Sequence, residues 1–112
     1  MKPNRDGSED RRRQSEDALF RAVVSLRDVE ECRKFFKDLC TPAELQALAD
    51  RWQVVELLQE QLPYRRIHEL TGVSVTTIGR VACYLAEGFG GYRLAFERLA
   101  RRERRGRARA SH

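Results

Sequence analysis

The sequence predicts an all-α protein, and three observations support this fold class. Proline and glycine are scarce, with three and seven residues in a chain of 112. Apolar residues recur at the 3.6-residue spacing of a helix in successive segments. No segment keeps the two-residue alternation of a half-buried strand. We therefore expect helices joined by short breaks, forming one helical domain over residues 17–97.

The first two helices follow a charged N-terminal segment. Residues 1–16 are polar and mix both signs of charge, which predicts a disordered arm. Apolar residues at helical spacing then predict a helix from about Ser15 to Arg27. Asp28 is suited to cap a second helix, with Glu31 three residues later. The apolar stripe of that helix is Cys32, Phe35, Phe36 and Leu39.

The third helix has the clearest start in the sequence, Thr41-Pro42-Ala43-Glu44. The threonine hydroxyl can accept from an unpaired backbone N–H, proline suits the first helical position, and the glutamate can complete a capping box. The helix is predicted to continue to about Gln61. Five apolar side chains are expected to face inward, namely Leu45, Leu48, Trp52, Val55 and Leu58.

Residues 63–87 match the pattern of a helix-turn-helix. Pro63 opens a short helix that continues through Thr71, with Ile67 and Leu70 facing inward. Gly72-Val73-Ser74 follows as the turn, because glycine tolerates a positive φ and serine is a good N-cap. The next helix, residues 75–87, carries the apolar stripe Ile78, Val81, Ala82 and Leu85.

The opposite face of helix 75–87 has the character of a surface that enters the DNA major groove. Its residues are Val75, Thr76, Thr77, Gly79 and Arg80, and no carboxylate occurs before Glu87. An arginine can bond guanine through two hydrogen bonds, and methyl groups can contact thymine. The alternative is an ordinary corner of two helices with a polar exposed face. His68 is expected to lie at the surface without a metal, since no second ligand accompanies it.

The C-terminal part is predicted to contain a break, a last helix and a basic tail. Phe89 and Tyr92 are expected to pack on the core, followed by a helix over residues 93–105. Residues 93–112 contain eight basic and two acidic residues, whereas the whole chain has a net charge of +5. The arginine-rich tail, residues 98–112, fits salt-sensitive phosphate contacts, and a solubilising terminus explains it equally well.

Several classes of protein are excluded by what the sequence lacks. No run of 18 apolar residues is present to cross a membrane, and the N-terminus lacks the apolar stretch of a secretory signal, so we expect a cytoplasmic protein. We expect no enzyme, because there is no phosphate-binding loop and no catalytic triad arrangement. The cysteines form no C-x-x-C pair, which predicts three buried thiols and no metal site, at Cys32, Cys40 and Cys83.

The order of these motifs resembles the Trp repressor superfamily. The matching pieces are the T-P-A-E helix start, Arg51 and the Leu57-Leu58 pair, the run Ile67-His68-Glu69-Leu70-Thr71-Gly72, and Thr76-Thr77-Ile78-Gly79-Arg80. The upstream segment SLRDVEECRKFFKDLCTPAEL is most similar to the small Trp-repressor-like YerC/YecD family. The resemblance covers roughly residues 18–92.

This resemblance implies a Trp-repressor-like helical bundle in an intertwined homodimer. It also implies a transcriptional regulator, usually a repressor, that binds double-stranded DNA at the bacterial nucleoid. When the family's contact positions are carried over residue by residue, the residues that would contact the bases or nearby phosphates are Ser74, Thr76, Thr77 and Arg80. The DNA backbone would be contacted by Tyr64 and Arg65, at the start of the preceding helix.

The tryptophan site of Trp repressor does not carry over to this chain. In Trp repressor two arginines hold the indole, and Arg51 and Arg80 occupy comparable places here. The long helix is one residue shorter between Arg51 and Leu57, which rotates the arginine by about 100° relative to the leucine pair. Val81 also stands where Trp repressor has a glycine that leaves room for the ligand. We expect no cofactor, and Arg51 and Arg80 are the candidates should an unknown effector bind.

Two other functions remain open on the sequence. The chain could be a helical, dimeric protein-interaction module, or it could bind nucleic acid, including RNA, without sequence preference through its arginine tail. Recognition of a DNA sequence would depend on Arg80 and Thr77, whereas binding through the tail would not.

Overall fold

The computed structural model describes residues 5–110, with side chains described from residue 7 to residue 109, and its regular secondary structure is entirely helical. The helices are α1 Arg5–Val24, α2 Val29–Leu39, α3 Pro42–Gln59, α4 Tyr64–Thr71, α5 Val75–Glu87 and α6 Gly91–Ala110. The predicted all-α fold class is therefore confirmed. None of these helices combines the length and the apolar character needed to cross a bilayer.

The chain divides into two compact units, Met1–Pro42 and Ala43–His112. The first unit contains α1 and α2. Helix α2 starts as predicted, because the Asp28 carboxylate accepts a hydrogen bond from the Glu31 backbone N–H at 2.9 Å. The Glu31 carboxylate in turn accepts from the Arg27 N–H at 2.9 Å. No described side chain of this first unit is fully buried within the chain.

Helix α1 is longer at its N-terminus than the sequence suggested. It begins at Arg5, so residues 5–16 are helical where a disordered arm was expected, and residues 1–4 of that arm lie outside the described part. The segment is rich in strong helix formers, and opposite charges stand four residues apart at Glu9 and Arg13 and at Arg12 and Glu16. Local charge pairing thus favours a helix in a segment too polar to form a core.

The second unit contains α3 to α6 and the buried core. Helix α5 packs against both α4 and α6. The core is formed by Val54 and Val55 of α3, Ile67 of α4, Val73 of the turn, and Ile78 and Val81 of α5. Val54 was not among the predicted inward residues.

Two leucines predicted to face inward are exposed. Leu48 of α3 is 43% exposed and Leu70 of α4 is 50% exposed. Each lies at helical spacing from other apolar positions, but on a side that nothing in this unit covers. Periodicity identified them as apolar-face residues; it could not tell which part of that face is covered by the same chain.

Helix α3 ends two residues before the predicted Gln61, in a Schellman motif. The Leu62 N–H donates to the Leu57 carbonyl at 3.4 Å, and the Gln61 N–H donates to the Leu58 carbonyl at 2.9 Å. Gln61 has a φ of 63°, in the left-handed region that glycine usually occupies at this position. The motif turns the chain toward α4.

Candidate nucleic-acid interface

The predicted helix-turn-helix is present with the predicted boundaries of its turn. Gly72, with a φ of 74°, ends α4 and donates its N–H to the His68 carbonyl at 2.8 Å. Val73 is 7% exposed and fills the angle between the helices as expected. Ser74 caps α5, because its hydroxyl accepts from the Thr77 N–H at 3.1 Å. The turn therefore holds α5 at a defined angle to α4.

Two side chains that the sequence analysis did not assign to the turn satisfy its backbone. The Thr71 hydroxyl donates to the Ile67 carbonyl at 2.7 Å and accepts from the Val73 N–H at 3.0 Å. His68 Nδ1 lies 2.7 Å from the Val73 carbonyl oxygen, so Nδ1 carries the proton in this contact. His68 is exposed, as predicted, but it has a structural role. Threonine commonly bonds its local backbone in this way, whereas no sequence signal announces the histidine contact.

The structure brings the predicted residues of α4 and α5 to neighbouring positions. Tyr64 and Arg65 are exposed at the start of α4. A Cβ atom added to Gly79 would lie 4.0 Å from Cε2 of Tyr64, so the tyrosine ring lies against the middle of α5. Thr76 and Arg80 are exposed on α5. A Cβ atom at this position would make only an ordinary van der Waals contact, so the placement of the ring does not depend on the glycine.

Ser74 and Thr77 are occupied by the helix cap. Their hydroxyl oxygens are 3.0 Å apart, with Ser74 donating to Thr77, and Thr77 is half-buried. The Ser74 hydroxyl thus makes two hydrogen bonds at the start of α5, one to the Thr77 hydroxyl and one from the Thr77 N–H. The Thr77 hydroxyl keeps its proton for a further acceptor.

The arginines at this surface differ in their partners among the described residues. Cζ of Arg80 lies 5.0 Å from the centroid of the Tyr84 ring, a cation–π contact that orients the guanidinium. On α4, Arg66 pairs with Glu69 at 3.6 Å. Among the residues that the structure describes, Arg65 and Arg80 have no such ion pair. The first turn of α5 has no acidic residue, so its N-terminus offers a positive surface.

Arg51 and Arg80, the predicted candidates for an effector, line one cavity of about 490 Å³. The shorter helix spacing predicted that Arg51 would be rotated away, but both arginines lie on its wall. Val81, which is 2% exposed, belongs to the core at this wall. The Tyr84 ring lies on the Arg80 guanidinium. The cavity therefore has a basic and aromatic lining, with the face of one arginine already covered.

Three further predictions, on Tyr92, Phe89 and the cysteines, are confirmed or corrected by the structure. Tyr92 packs on the core as expected, with its ring centroid 6.5 Å from that of Trp52. Phe89 is fully exposed, so its expected docking on the core is wrong. Cys83 is exposed, whereas Cys32 and Cys40 are partly buried, so the prediction of three buried thiols is wrong. Phe89 lies in the connection between α5 and α6, and Cys83 lies on an exposed face of α5.

Comparison with known proteins establishes the family. The family model described as Trp repressor protein matches residues 14–100 of this chain. The chain belongs to the Trp repressor family. YerC of Bacillus subtilis (strain 168), an uncharacterized protein, is 44% identical over 87 residues, which cover 78% of this chain and 84% of YerC. The resemblance inferred from the motifs is thereby confirmed.

Solved structures of similar chains agree with the Trp repressor family fold. A TrpR-like protein from Eubacterium eligens ATCC 27750 is 42% identical and superposes with a TM-score of 0.75, covering 78% of this chain and 90% of that one. A chain from Staphylococcus aureus is 37% identical, also with a TM-score of 0.75, covering 78% and 87%. Membership of the Trp repressor family indicates a DNA-binding transcription regulator.

Proposed function

We propose that this protein is a sequence-specific regulator of transcription, acting as a repressor, that reads the major groove of double-stranded DNA with α5. The observation that carries the proposal is the exposed face of α5. It presents Thr76 and Arg80 from a helix whose start is held by Ser74 and whose angle is set by Gly72. Such a protein works at the bacterial nucleoid, in the cytoplasm.

The side chains of this surface fall into two roles. Arg80, Thr76 and Thr77 contact base edges or the phosphates beside them, since a guanidinium and hydroxyls can donate to groove acceptors. Tyr64 and Arg65 contact the sugar–phosphate backbone from the start of α4 and fix the register of α5. Ser74 acts first through the cap, because its hydroxyl is bonded within the helix start.

The protein works as a homodimer, and the exposed apolar side chains support this part of the proposal. In the first unit Phe20 is 57% exposed and Val24 is 80% exposed, and no residue of α2 is buried. Contiguous apolar surface of this kind marks protein interfaces. A second copy would cover it and supply a second α5 one helical turn away on the DNA.

The regulator needs no tryptophan to bind its site. The Tyr84 ring lies on the face of Arg80 that an aromatic ligand would use, and Val81 occupies the wall beside it. We therefore expect that L-tryptophan leaves the affinity for the DNA site unchanged. A rise in affinity in a titration with L-tryptophan would show that Tyr84 moves aside for the ligand.

The decisive experiment is selection of bound duplexes from a random DNA pool at about physiological salt. The wild-type protein is compared with Arg80→Ala and with a matched control, Arg66→Ala, which removes the same charge from a residue already paired with Glu69. We expect the wild type and the control to enrich one pseudo-palindromic site, and Arg80→Ala to lose it.

Two results would contradict the proposal. Salt-sensitive binding without enrichment, equal in all three proteins, would leave a non-specific binder acting through its arginine tail. Absence of any DNA binding by the folded dimer would favour a protein-interaction module.

A further inference from the structure

The C-terminal part of α6 extends beyond the family match as a continuous helix. The match ends at residue 100, whereas α6 runs from Gly91 to Ala110. The sequence suggested that the helix would end near residue 105 and that the arginines would trail as an arm. A helix places its side chains at fixed angles, so the arrangement of these arginines becomes a structural property.

Five arginines of this helix share one face. Their positions follow the spacing i, i+3, i+4, i+7 and i+11, which places neighbours on one side of a helix. All five are exposed, and the structure gives none of them an ion pair among the described residues. At 1.5 Å per residue they extend over about 17 Å. We call them the arginine stripe: Arg98, Arg101, Arg102, Arg105 and Arg109.

The arginine stripe points away from the part of α6 that packs on the core. Tyr92, Phe96 and Ala100 are the partly buried positions of this helix. At about 100° per residue, the centre of the stripe lies about 160° around the helix from them. The two acidic residues of α6 lie outside the stripe. Glu103 lies on another face of the helix, and Glu97 lines a groove together with Phe96 and Leu85. The stripe is therefore a cationic surface directed at solvent.

We infer that the arginine stripe binds the sugar–phosphate backbone of double-stranded DNA, independently of base sequence. Charge complementarity selects this occupant, because a row of guanidiniums on a rigid helix can pair with successive phosphates. The inference rests on the proposed function for its duplex. It adds a second contact surface, outside the family match, that raises affinity for any duplex and retains the regulator on DNA around its site.

The test compares two full-length double variants that lose the same charge from the same segment. Arg101→Gln/Arg105→Gln removes two members of the stripe, and Arg104→Gln/Arg107→Gln removes two arginines from other faces. Glutamine has a helix propensity close to that of arginine, and circular dichroism checks that helicity is kept. Affinity for a random-sequence duplex is measured between about 50 and 200 mM salt.

Each phosphate contact contributes about 0.9 to the slope of log affinity against log salt concentration. We expect the stripe variant to lose about 1.8 from this slope and the control variant to lose much less. Equal losses of slope in both variants would overturn the inference, because the binding would then depend on the total charge of the helix and not on the position of the arginines. An unchanged slope in both would show that the helix does not touch DNA.

Two further measurements distinguish this inference from the proposed function and distinguish DNA from RNA as the ligand of the stripe. The selected DNA site is tested beside the random duplex, and we expect the stripe variant to enrich the same site while binding both duplexes more weakly. If the two double variants have the same salt slope on the random duplex, the inference is overturned, even where the protein still selects a specific site. A difference seen with single-stranded RNA of equal length, but absent with the duplex, would also overturn the inference.

Discussion

At the scale of single residues, the turn between α4 and α5 depends on hydroxyl and imidazole groups that bond its backbone. Thr71 bonds both the end of α4 and the N–H of Val73, and His68 bonds the carbonyl of Val73. Val73 is buried, so its backbone groups need partners within the chain. The angle between α4 and α5 is thus held by polar contacts as well as by apolar packing.

Thr71→Val is expected to lower the free energy of unfolding by about 1–3 kcal/mol. The valine keeps the shape of threonine but leaves the Val73 N–H without its partner, and an unsatisfied buried donor costs this amount. Urea unfolding followed by circular dichroism measures the change. Thr71→Ser, which keeps the hydroxyl, should lose clearly less; equal losses would assign the effect to packing.

Tyr84 is expected to affect DNA binding without contacting a base, through its stacking on Arg80. An exposed cation–π contact contributes about 0.5–1 kcal/mol, so Tyr84→Leu should weaken binding of the selected site by about two- to fivefold. Tyr84→Phe keeps the ring and should bind as the wild type does. A loss with phenylalanine as large as with leucine would point to the hydroxyl as the group that matters.

At the scale of elements, the helix ends decide how the chain changes direction. α2 and α5 are capped by Asp28 and Ser74, and α4 ends at Gly72. α3 ends at Gln59, and two residues later Gln61, which has a side chain, adopts the left-handed conformation. This conformation costs a residue with a Cβ atom about 1–2 kcal/mol relative to a right-handed one.

Gln61→Gly is therefore expected to stabilise the second unit by about 0.5–1 kcal/mol, since the relief of strain at this φ exceeds the extra freedom that glycine loses on folding. Gly72→Ala is the opposite case at a similar φ and should destabilise by a comparable amount. Thermal unfolding of both variants measures the two shifts. A stabilising Gly72→Ala would contradict the assignment of strain to φ.

At the scale of the whole molecule, the two units differ in how much apolar surface they bury. The second unit has a core of six buried residues, whereas no described side chain of the first unit is buried. A single chain thus leaves α1 and α2 with apolar faces in contact with water. Burial of these faces by a second copy would link folding to association.

Phe20→Glu is expected to convert the dimer into monomers and to lower its melting temperature. Phe20 is 57% exposed in the single chain, so the substitution removes little packing within that chain. Ala18→Glu adds the same charge at another exposed position on a different face of α1 and should leave association intact. Sedimentation equilibrium measures the mass of each variant. Wild-type protein that is monomeric at micromolar concentrations would contradict the dimer.

Sequence alone was sufficient to define the helical class, the family and the helix-turn-helix of this protein. These features depend on local signals: apolar periodicity, capping residues such as Asp28 and Ser74, and a glycine at the left-handed position. Local signals act within one helix or one turn, so they can be read without knowing what surrounds them. They place Ile67, Ile78 and Val81 on the apolar faces of their helices, and the structure buries all three.

Which apolar faces are covered emerged only from the tertiary structure, because burial depends on neighbours that can lie far away in sequence. Leu70 and Phe89 carry the same apolar signal as Ile67 and Tyr92, yet they are exposed. The His68 contact with Val73 and the common cavity of Arg51 and Arg80 likewise arise from helix placement. The arginine stripe became visible only once α6 continued to Ala110, because a side chain's direction is defined when its backbone is regular.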